Sequence, residues 1–289
     1  MCIHAYRSTF HVTKIYQVLQ TSRSGYYAWH DRPASPRAIR HAERQEQNQR
    51  IFAQSRERYG SPKITAVLRH TGERIAQKTV ARIMRGAGLR SRVRRKYKAT
   101  THSRHSHPVA DNVLNRKFVA ERPHQVWMTD ITYVGTDEGW LYLASVEDLY
   151  SRQIVGWAMS DRMTQDLVIQ AFDQAVARYQ PPEGVLHHSD RGSQYAAQAY
   201  RDRLDDTHMT ASMSRKGNCW DNACIESWHS LLKKELIYLD RWSTQAAQQA
   251  IFEYIEIWYN RQRVHSALGY RTPHAVLTAG PAPTPSLGG

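Results

Sequence analysis

Apolar residues recur at helical spacing in the first 90 residues of the chain and at strand spacing after residue 110. Two short stretches have the clearest helical pattern: one begins near Pro62, and the second covers Gln77–Arg85 and ends at glycines. Thr71 and Gly72 separate them. Because two short helices joined by a turn are typical of a helix-turn-helix, we predict one over residues 59–90.

The residues before this motif are also predicted to be largely helical. Val12–Leu19 has helical apolar spacing, the following SRSGYYAW is turn-like, and residues 36–58 are polar with few apolar anchors. A polar stretch of that length predicts a solvent-exposed helix. We therefore predict an N-terminal helical segment over residues 1–58.

After residue 110, short β-branched and aromatic runs alternate with helical stretches. The predicted strands are 126–134, 140–148, 153–160, 184–190 and 209–214, and the predicted helices are 164–179, 196–204, Asp221–Leu239 and Thr244–Arg261. Short turns join the first three strands, which predicts an antiparallel meander. This order of elements is that of a ribonuclease H-like α/β fold, a mixed sheet flanked by helices. We assign that fold to residues 111–278, preceded by the small all-α helix-turn-helix region.

Positive charge is concentrated in the helical front part of the chain. Residues 1–110 carry 23 Lys and Arg against 5 Asp and Glu, whereas residues 111–289 carry 17 against 21. A strongly basic region joined to a slightly acidic one indicates a module that binds a polyanion, and phosphate backbones attract such a surface whatever their sequence. We therefore predict nucleic-acid binding by the front part.

Individual candidates for phosphate contacts come from two segments. Four cations belong to the predicted helix-turn-helix, the last three facing outward on its second helix: Lys63, Lys78, Arg82 and Arg85. Residues 91–110 have no apolar periodicity and are predicted to be a flexible basic linker. Four cations of this linker are further candidates for phosphate contacts: Arg92, Arg94, Arg95 and Lys96.

Other features of the sequence exclude membrane and secreted proteins. No apolar run approaches the ~18 residues that cross a bilayer, and the first twenty residues lack the apolar core of a signal peptide. The cysteines Cys2, Cys219 and Cys224 have no zinc-site spacing, so we expect reduced thiols and a cytoplasmic protein. Residues 279–289 are rich in Pro and Gly and are expected to be disordered.

Three carboxylates occupy positions where a solvent-facing charge is hard to explain. Asp130 lies within the strand-like run WMTDITYV, Asp190 ends the run VLHHSD, and Glu226 lies on the helix that begins near Asp221. Phosphoryl transfer on DNA uses two divalent cations, and Mg²⁺ prefers carboxylate oxygens. The three residues are therefore candidate ligands of a catalytic metal pair.

The spacing of these carboxylates does not distinguish them, because Asp111 and Glu147 are separated by the same interval as Asp190 and Glu226. The local context of Glu226 is more informative. Its predicted helix has an apolar face and a polar face, and the polar face consists of Asn222, Glu226, His229, Ser230 and Lys233. Lys233 follows Glu226 by nearly two turns, about 20° away in direction, so Lys233 and Asn222 are candidates for DNA contact beside the metals.

Four motifs in this order resemble a known family. They are WMTDITYV, HHSDRGSQY, SRKGNCWDNACIESWHSLLKKEL and YNRQRVHSALGYRTP, and the upstream YGSPKITAVLRHTGERI resembles the family's helix-turn-helix segment. The chain resembles, over about residues 55–275, the catalytic OrfB-type protein of bacterial insertion-sequence transposases, the insertion-sequence-three family. The resemblance implies a core like that of retroviral integrases.

The resemblance also implies an activity and its residues. The family's Asp-Asp-Glu triad falls on Asp130, Asp190 and Glu226, and its basic residue after the glutamate falls on Lys233. The implied activity is that of a DNA transposase, a polynucleotidyl transferase that uses two Mg²⁺ ions, with Mn²⁺ as a substitute. It cleaves strands at insertion-sequence ends and joins the freed 3′-hydroxyl to new DNA.

The resemblance implies partners as well. They are double-stranded DNA, both terminal repeats and target, further copies of the chain in a homo-oligomer on DNA, and a protein encoded in an upstream frame, where the family places a leucine zipper. The implied location is the bacterial cytoplasm, at the nucleoid. Trp220, Trp228 and His229 depart from the family's pattern, and we expect none of them to contact the triad.

Two other functions are compatible with parts of the sequence. A DNA-binding regulator without chemistry would use the helix-turn-helix and a degenerate core, but the intact triad argues against it. A plain ribonuclease H-type nuclease needs neither the helix-turn-helix nor so large a basic region. Strand transfer distinguishes the leading hypothesis from both, because only a transposase joins a 3′ end to new DNA.

Overall fold

The computed structural model describes residues 9–20, 22–92, 108–215 and 218–280, and the chain divides into two compact units at residue 50. The first unit contains α1 (Val12–Leu19), α2 (Arg23–His30) and most of α3 (Pro36–Gln54). The prediction of a turn after α1 was wrong. Ser22 caps a short helix there, its Oγ accepting the Gly25 N–H at 3.0 Å.

The second unit begins with the two predicted short helices, α4 (Ser61–His70) and α5 (Gln77–Gly86). Pro62 lies in the first turn of α4, where the missing backbone N–H removes no helical hydrogen bond. The apolar faces of both helices are buried, with Ile64 and Val80 fully inside. These bounds confirm the helix, turn and helix predicted from the spacing of the apolar residues.

A five-stranded mixed sheet forms the centre of this unit. Its strands are β1 (Val126–Thr136), β2 (Gly139–Asp148), β3 (Ile154–Ser160), β4 (Leu186–Ser189) and β5 (Thr210–Met213). Their order across the sheet is β3-β2-β1-β4-β5, with β1, β2 and β3 antiparallel and with β4 and β5 parallel to β1. The predicted meander and the predicted mixed sheet are both confirmed.

Helices flank the sheet, and apolar clusters fill the space on both of its faces. The remaining helices are α6 (Gln165–Tyr179), α7 (Ser193–Ala196), α8 (Gln198–Asp206), α9 (Ala223–Glu235), α10 (Thr244–Glu253) and α11 (Pro273–Ala279). One cluster joins Trp127 of β1 to Phe172 of α6, and another joins Val134 of β1 to Trp228 of α9. The side chains of β1 thus enter different cores, because successive positions of a strand face opposite sides of the sheet. No helix among the described residues has the length and apolar character needed to cross a membrane.

The two long C-terminal helices predicted from the sequence are shorter and less regular in the structure. A 3₁₀ turn at Cys219–Asn222 precedes α9, another at Ile237–Leu239 follows it, and α10 continues as a π-helical segment over Tyr254–Tyr259. The first break has a physical cause: Asp221 forms ion pairs with Arg116 and Arg215, and Asn222 has non-helical backbone angles.

Residues of the α4–α5 pair belong to the same hydrophobic cluster as residues of the sheet and of α9. Ile64 and Leu68 of α4 belong to the same cluster as Leu232 of α9. Just before α4, the Tyr59 hydroxyl donates to the Gln262 carbonyl at 3.2 Å. The helix pair is thus packed on the core, and the domain boundary expected near residue 90 remains a prediction.

A buried ion pair reinforces this contact. Arg263 and Glu235, both almost fully buried, approach to 2.7 Å, and Arg58 Nε donates to the Glu235 carbonyl oxygen at 3.0 Å. Burial by itself raises the pKa of Glu235, but the Arg263 guanidinium outweighs it and the pKa falls to about 2. The end of α9 therefore carries a fixed negative charge between cations from two parts of the chain.

The packing of α6 on β3 leaves no room for a side chain at Gly156. A Cβ there would be 2.2 Å from the Ala171 carbonyl oxygen and 2.7 Å from the Ala175 Cβ. We expect Gly156→Ala to lower the free energy of unfolding by about 1–3 kcal/mol, because helix and strand must separate. Gly86→Ala is the control, since its methyl group meets nothing within 4 Å. Equal melting temperatures for the two variants would contradict the close packing.

Candidate active site

Two of the predicted carboxylates lie on neighbouring parallel strands, Asp130 within β1 and Asp190 directly after β4. β1 and β4 pair in a register that places Met128 opposite His188, and Asp130 and Asp190 each follow two residues later. Parallel neighbours lie about 4.8 Å apart and share a face at equivalent positions, so this register brings the two half-buried aspartates side by side where β4 ends. Both of their charges act on Tyr195, whose pKa is raised first by burial and further by Asp130 and Asp190.

Helix α9 adds Glu226 to the same region. Glu226 lies exposed in the first turn of α9. Its pKa is raised, first by partial loss of solvent and second by the negative charge of Asp130. Because the two carboxylates are 96 positions apart in the sequence, this electrostatic interaction reflects their convergence in space.

Backbone N–H groups hold one oxygen of each aspartate. Asp130 Oδ1 accepts from the Ile131 N–H at 2.9 Å, and Asp190 Oδ1 accepts from the Gly192 N–H at 2.8 Å. A Cβ at residue 192 would lie 2.9 Å from Asp190 Oδ1, so glycine permits the close approach. One oxygen of each carboxylate is thus held by the backbone.

The fit of these residues to a divalent metal rests on their chemistry. Within the described parts of the chain, no three His, Cys, Asp or Glu side chains are grouped closely enough to hold a metal ion. Oxygen donors of this kind nevertheless suit Mg²⁺, and the repulsion that raises the pKa of Glu226 is the kind that a bound cation relieves. The donor set fits the metal, in an open arrangement.

Asp221 is an anchoring residue that the sequence did not identify. It is fully buried and binds Arg116 at 2.7 Å, Arg215 at 2.8 Å and the Asn112 amide at 2.8 Å. Hydrogen bonds from the Arg215 side chain are the largest cause of its strongly lowered pKa. These bonds fix the start of α9, and thereby Glu226, relative to β5.

The predicted polar face of the Glu226 helix is wrong for two of its members. Asn222 is buried and its amide donates to the Thr129 carbonyl at 3.4 Å, so it faces the sheet. His229 is buried as well, with Nδ1 3.4 Å from Asp130 Oδ2. The expectation that no departure from the family pattern contacts the triad is therefore wrong for His229.

The adjacent histidines near Asp190 have structural partners. His187 Nε2 lies 2.7 Å from the Tyr200 hydroxyl, and His188 Nδ1 lies 2.8 Å from the Ser212 hydroxyl. Burial lowers the pKa of His187 to about 3 and that of His188 to about 4, so both rings are neutral near pH 7. These contacts hold β4 against α8 and β5.

The predicted DNA-contacting cations fall into different environments. Lys78, Arg82 and Arg85 are exposed along one side of α5, and within the described residues none of them forms an ion pair. Lys233 is half-buried, with Nζ 4.6 Å from the centre of the Tyr133 ring. Burial lowers the pKa of Lys233, and Asp130 opposes that effect. Lys233 thus lies within the field of the candidate site.

The remaining predicted cations either contact other side chains of the protein or lie outside the described residues. Lys63 packs its Nζ 5.0 Å from the centre of the Tyr59 ring, and burial lowers its pKa to about 8, which removes it from the exposed set. Arg92 pairs with Glu57 at 3.6 Å. The other three lie outside the described residues: Arg94, Arg95 and Lys96.

The convergence of Asp130 and Glu226 can be measured without metal. We expect Asp130→Asn to lower the pKa of Glu226, because the substitution removes the nearby negative charge while burial persists. Carboxyl ¹³C shifts of the protein titrated in EDTA report the value. Asp202→Asn, at an exposed position of α8, is the control. An unchanged Glu226 pKa in Asp130→Asn would show that the two carboxylates do not interact.

The chain is similar to known proteins both in its helical front part and in its sheet-containing part. Family models of an integrase core domain match residues 120–219 and 207–273, and a helix-turn-helix-like domain matches residues 42–97. The chain is 44% identical to an uncharacterized 31 kDa protein of insertion element IS600 from Shigella sonnei, over 90% of this chain and 96% of that protein. It is 40% identical to transposase InsF of insertion sequence IS3A from Escherichia coli, over 94% and 95%. The HTLV-2 integrase catalytic core domain, solved in complex with magnesium, is 19% identical, with a TM-score of 0.40 over 54% of this chain and 97% of that one.

Proposed function

We propose which residues of this chain carry out the chemistry and which bind DNA. The chain belongs to the same family as the InsF transposases of insertion sequence IS3. It is a DNA transposase with an integrase core, a polynucleotidyl transferase. In our proposal, Asp130, Asp190 and Glu226 carry out the strand cleavage and strand transfer, and the exposed cations of α5 hold DNA. The alignment of Asp130 with Asp190 by the β1–β4 register is the observation on which the proposal chiefly rests.

The chemistry assigned to the carboxylates follows from their placement. Asp130 and Asp190 are rigid because their strands are paired and one oxygen of each is already hydrogen-bonded. Glu226 comes from a packed helix and completes the donor set. When bound, a pair of Mg²⁺ ions, or Mn²⁺ in their place, supplies Lewis-acid stabilisation of the attacking and leaving oxygens. Water attacks the phosphorus at the element's end and displaces the element's 3′-oxygen, which leaves as a 3′-hydroxyl. That hydroxyl then attacks a target phosphodiester and displaces the 3′-oxygen of the target strand.

The partner in this proposal is double-stranded DNA at the ends of the element and at the target. Lys78, Arg82 and Arg85 lie at intervals of four and three residues, so they project from one side of α5. The charge of Asp130 acts on Lys233, and we assign to Lys233 the contact with a phosphate beside the reacting bond. Assembly of several copies on DNA, an upstream-frame partner and a place at the bacterial nucleoid belong to the same proposal.

The catalytic assignment predicts a loss of chemistry without a loss of binding. Asp190→Asn and Glu226→Gln should each reduce strand cleavage and strand transfer to background, because each removes a charged oxygen donor. Binding of element-end DNA, measured by gel retardation in EDTA, should remain. Asp202→Asn changes the net charge equally at an exposed site on α8 and should cleave normally. Wild-type cleavage by Asp190→Asn would remove that residue from the mechanism.

The same assay separates the competing functions. A plain nuclease would cleave the labelled strand but never join its 3′ end to new DNA. A regulator without chemistry would retain DNA and do neither. Joined products that require both Asp190 and Glu226 are expected for the transposase alone.

The assignment of α5 predicts a change in the salt dependence of DNA binding. Replacing Lys78, Arg82 and Arg85 together with Ala should reduce the slope of log affinity against log salt by about one unit for each phosphate that the protein no longer neutralises. Binding is expected to weaken on all sequences, and more at the element's own ends if α5 reads bases.

A control for this variant removes three cations that are already neutralised by carboxylates: Arg50 with Glu46, Arg178 with Glu256, and Arg203 with Asp173. The nominal charge change is identical, but each removed cation already has an anionic partner. If both triple variants change the salt slope equally, α5 has no specific role in holding DNA.

A further inference from the structure

His229 contacts the candidate triad at Asp130. It lies one turn after Glu226 on α9, and only 7% of its side chain is exposed. Its Nδ1 is 3.4 Å from Asp130 Oδ2, and its Nε2 is 3.4 Å from the Ser145 hydroxyl. The imidazole ring therefore links the helix that carries Glu226 to the two strands beneath it.

The chemistry of the two partners favours one tautomer of the ring. Nδ1 lies 3.4 Å from Asp130 Oδ2, and because an ionised carboxylate is an acceptor only, the contact is attractive when Nδ1 carries the hydrogen. In the neutral ring Nε2 is then an acceptor, and Ser145 can donate its hydroxyl hydrogen to it. Ser145 stands directly opposite Asp130 in the β1–β2 register and is fully buried. The chain Ser145–His229–Asp130 thus begins and ends on paired strand positions.

Ser145 and His229 lie on the side of Asp130 Oδ2, the carboxylate oxygen that does not accept from the Ile131 N–H. Oδ1 is bonded to the Ile131 N–H, and Oδ2 faces His229. A carboxylate bonded at one oxygen can still turn about its own axis, whereas one bonded at both is fixed. Each oxygen retains a further lone pair for a cation.

We propose that His229 is a positioning residue, which aims the Asp130 carboxylate at the metal and fixes α9 against β1. The proposal rests on the proposed function, because it takes Asp130 as a metal ligand. Partners of this kind, which orient a ligating group from behind, typically contribute 10–100-fold, as a rough range, to metal affinity or activity. The contact joins residues 99 positions apart in the sequence.

Three substitutions at this position separate the two contacts of the ring. His229→Asn places an amide N–H where Nδ1 lies and keeps the donor to Asp130. His229→Gln reaches instead toward the position of Nε2 and keeps the contact to Ser145. His229→Phe keeps a ring and removes both. Ser145→Ala removes the far partner alone.

The probe is Mn²⁺ alone, titrated into the full-length protein without DNA and followed by electron paramagnetic resonance of the free ion. We expect His229→Asn to bind close to wild type, and His229→Gln and His229→Phe to bind about 10–100-fold more weakly. Melting in EDTA checks that each variant is folded. Equal Mn²⁺ binding by the Asn, Gln and Phe variants would overturn the proposal, whatever their melting temperatures.

A second measurement needs no metal and no variant protein beyond an assignment control. In ¹⁵N-histidine-labelled protein in EDTA, ring 229 should be the tautomer protonated at Nδ1, and its signals should be absent from His229→Asn. A ring protonated at Nε2 alone cannot donate to Asp130 and would refute the proposal.

Asp130→Asn distinguishes the failure of this proposal from the failure of the proposed function. If Asp130→Asn binds Mn²⁺ as the wild type does, Asp130 is not a metal ligand and both proposals fail. If Asp130→Asn loses Mn²⁺ while His229→Phe retains it, the proposed function stands and only the role of His229 is refuted.

Discussion

The parallel pairing of β4 with β1 is the constraint on which the candidate site depends. Two aspartates that are 60 positions apart in the sequence meet because two strands run side by side in one register. A shift of one residue would turn one carboxylate to the opposite face of the sheet. The short β4, with its buried histidines bonded to Tyr200 and Ser212, is held against such a shift by its own side chains. The buried contacts of β4 therefore keep Asp190 beside Asp130.

The sequence predicted most of the fold because the information is local. The alternation along WMTDITYV and the helical spacing of Ile64, Val67 and Leu68 are visible without any partner. The three candidate carboxylates were proposed from their placement within strand-like and helical runs and from the resemblance, since their spacing did not distinguish them from other Asp–Glu pairs. Helix α2 was missed because it is short and its apolar spacing is weak, although its capping serine was present.

What the sequence could not predict depends on distant partners. The burial of Asp221 follows from Arg116, which lies 105 positions earlier, and no helical period contains that fact. His229 looked like one more polar residue beside Glu226, and only the position of Asp130 makes it a neighbour of the site. Lys63 looked like an exposed cation, but its ammonium group packs over the ring of Tyr59. In each case the residue is recognisably polar in the sequence, but its burial and its neighbours are determined by tertiary contacts.

Helix α9 spans the distance between the candidate site and the helix pair that precedes the sheet. Its first turn carries Glu226 and its last carries Glu235, about 14 Å further along the axis at 1.5 Å per residue. Arg58, immediately before the α4–α5 pair, donates to the carbonyl of Glu235. A hydrogen-bonded helix hardly stretches, so α9 keeps Glu226 at a fixed distance along its axis from Glu235 and from the arginine that precedes the α4–α5 pair.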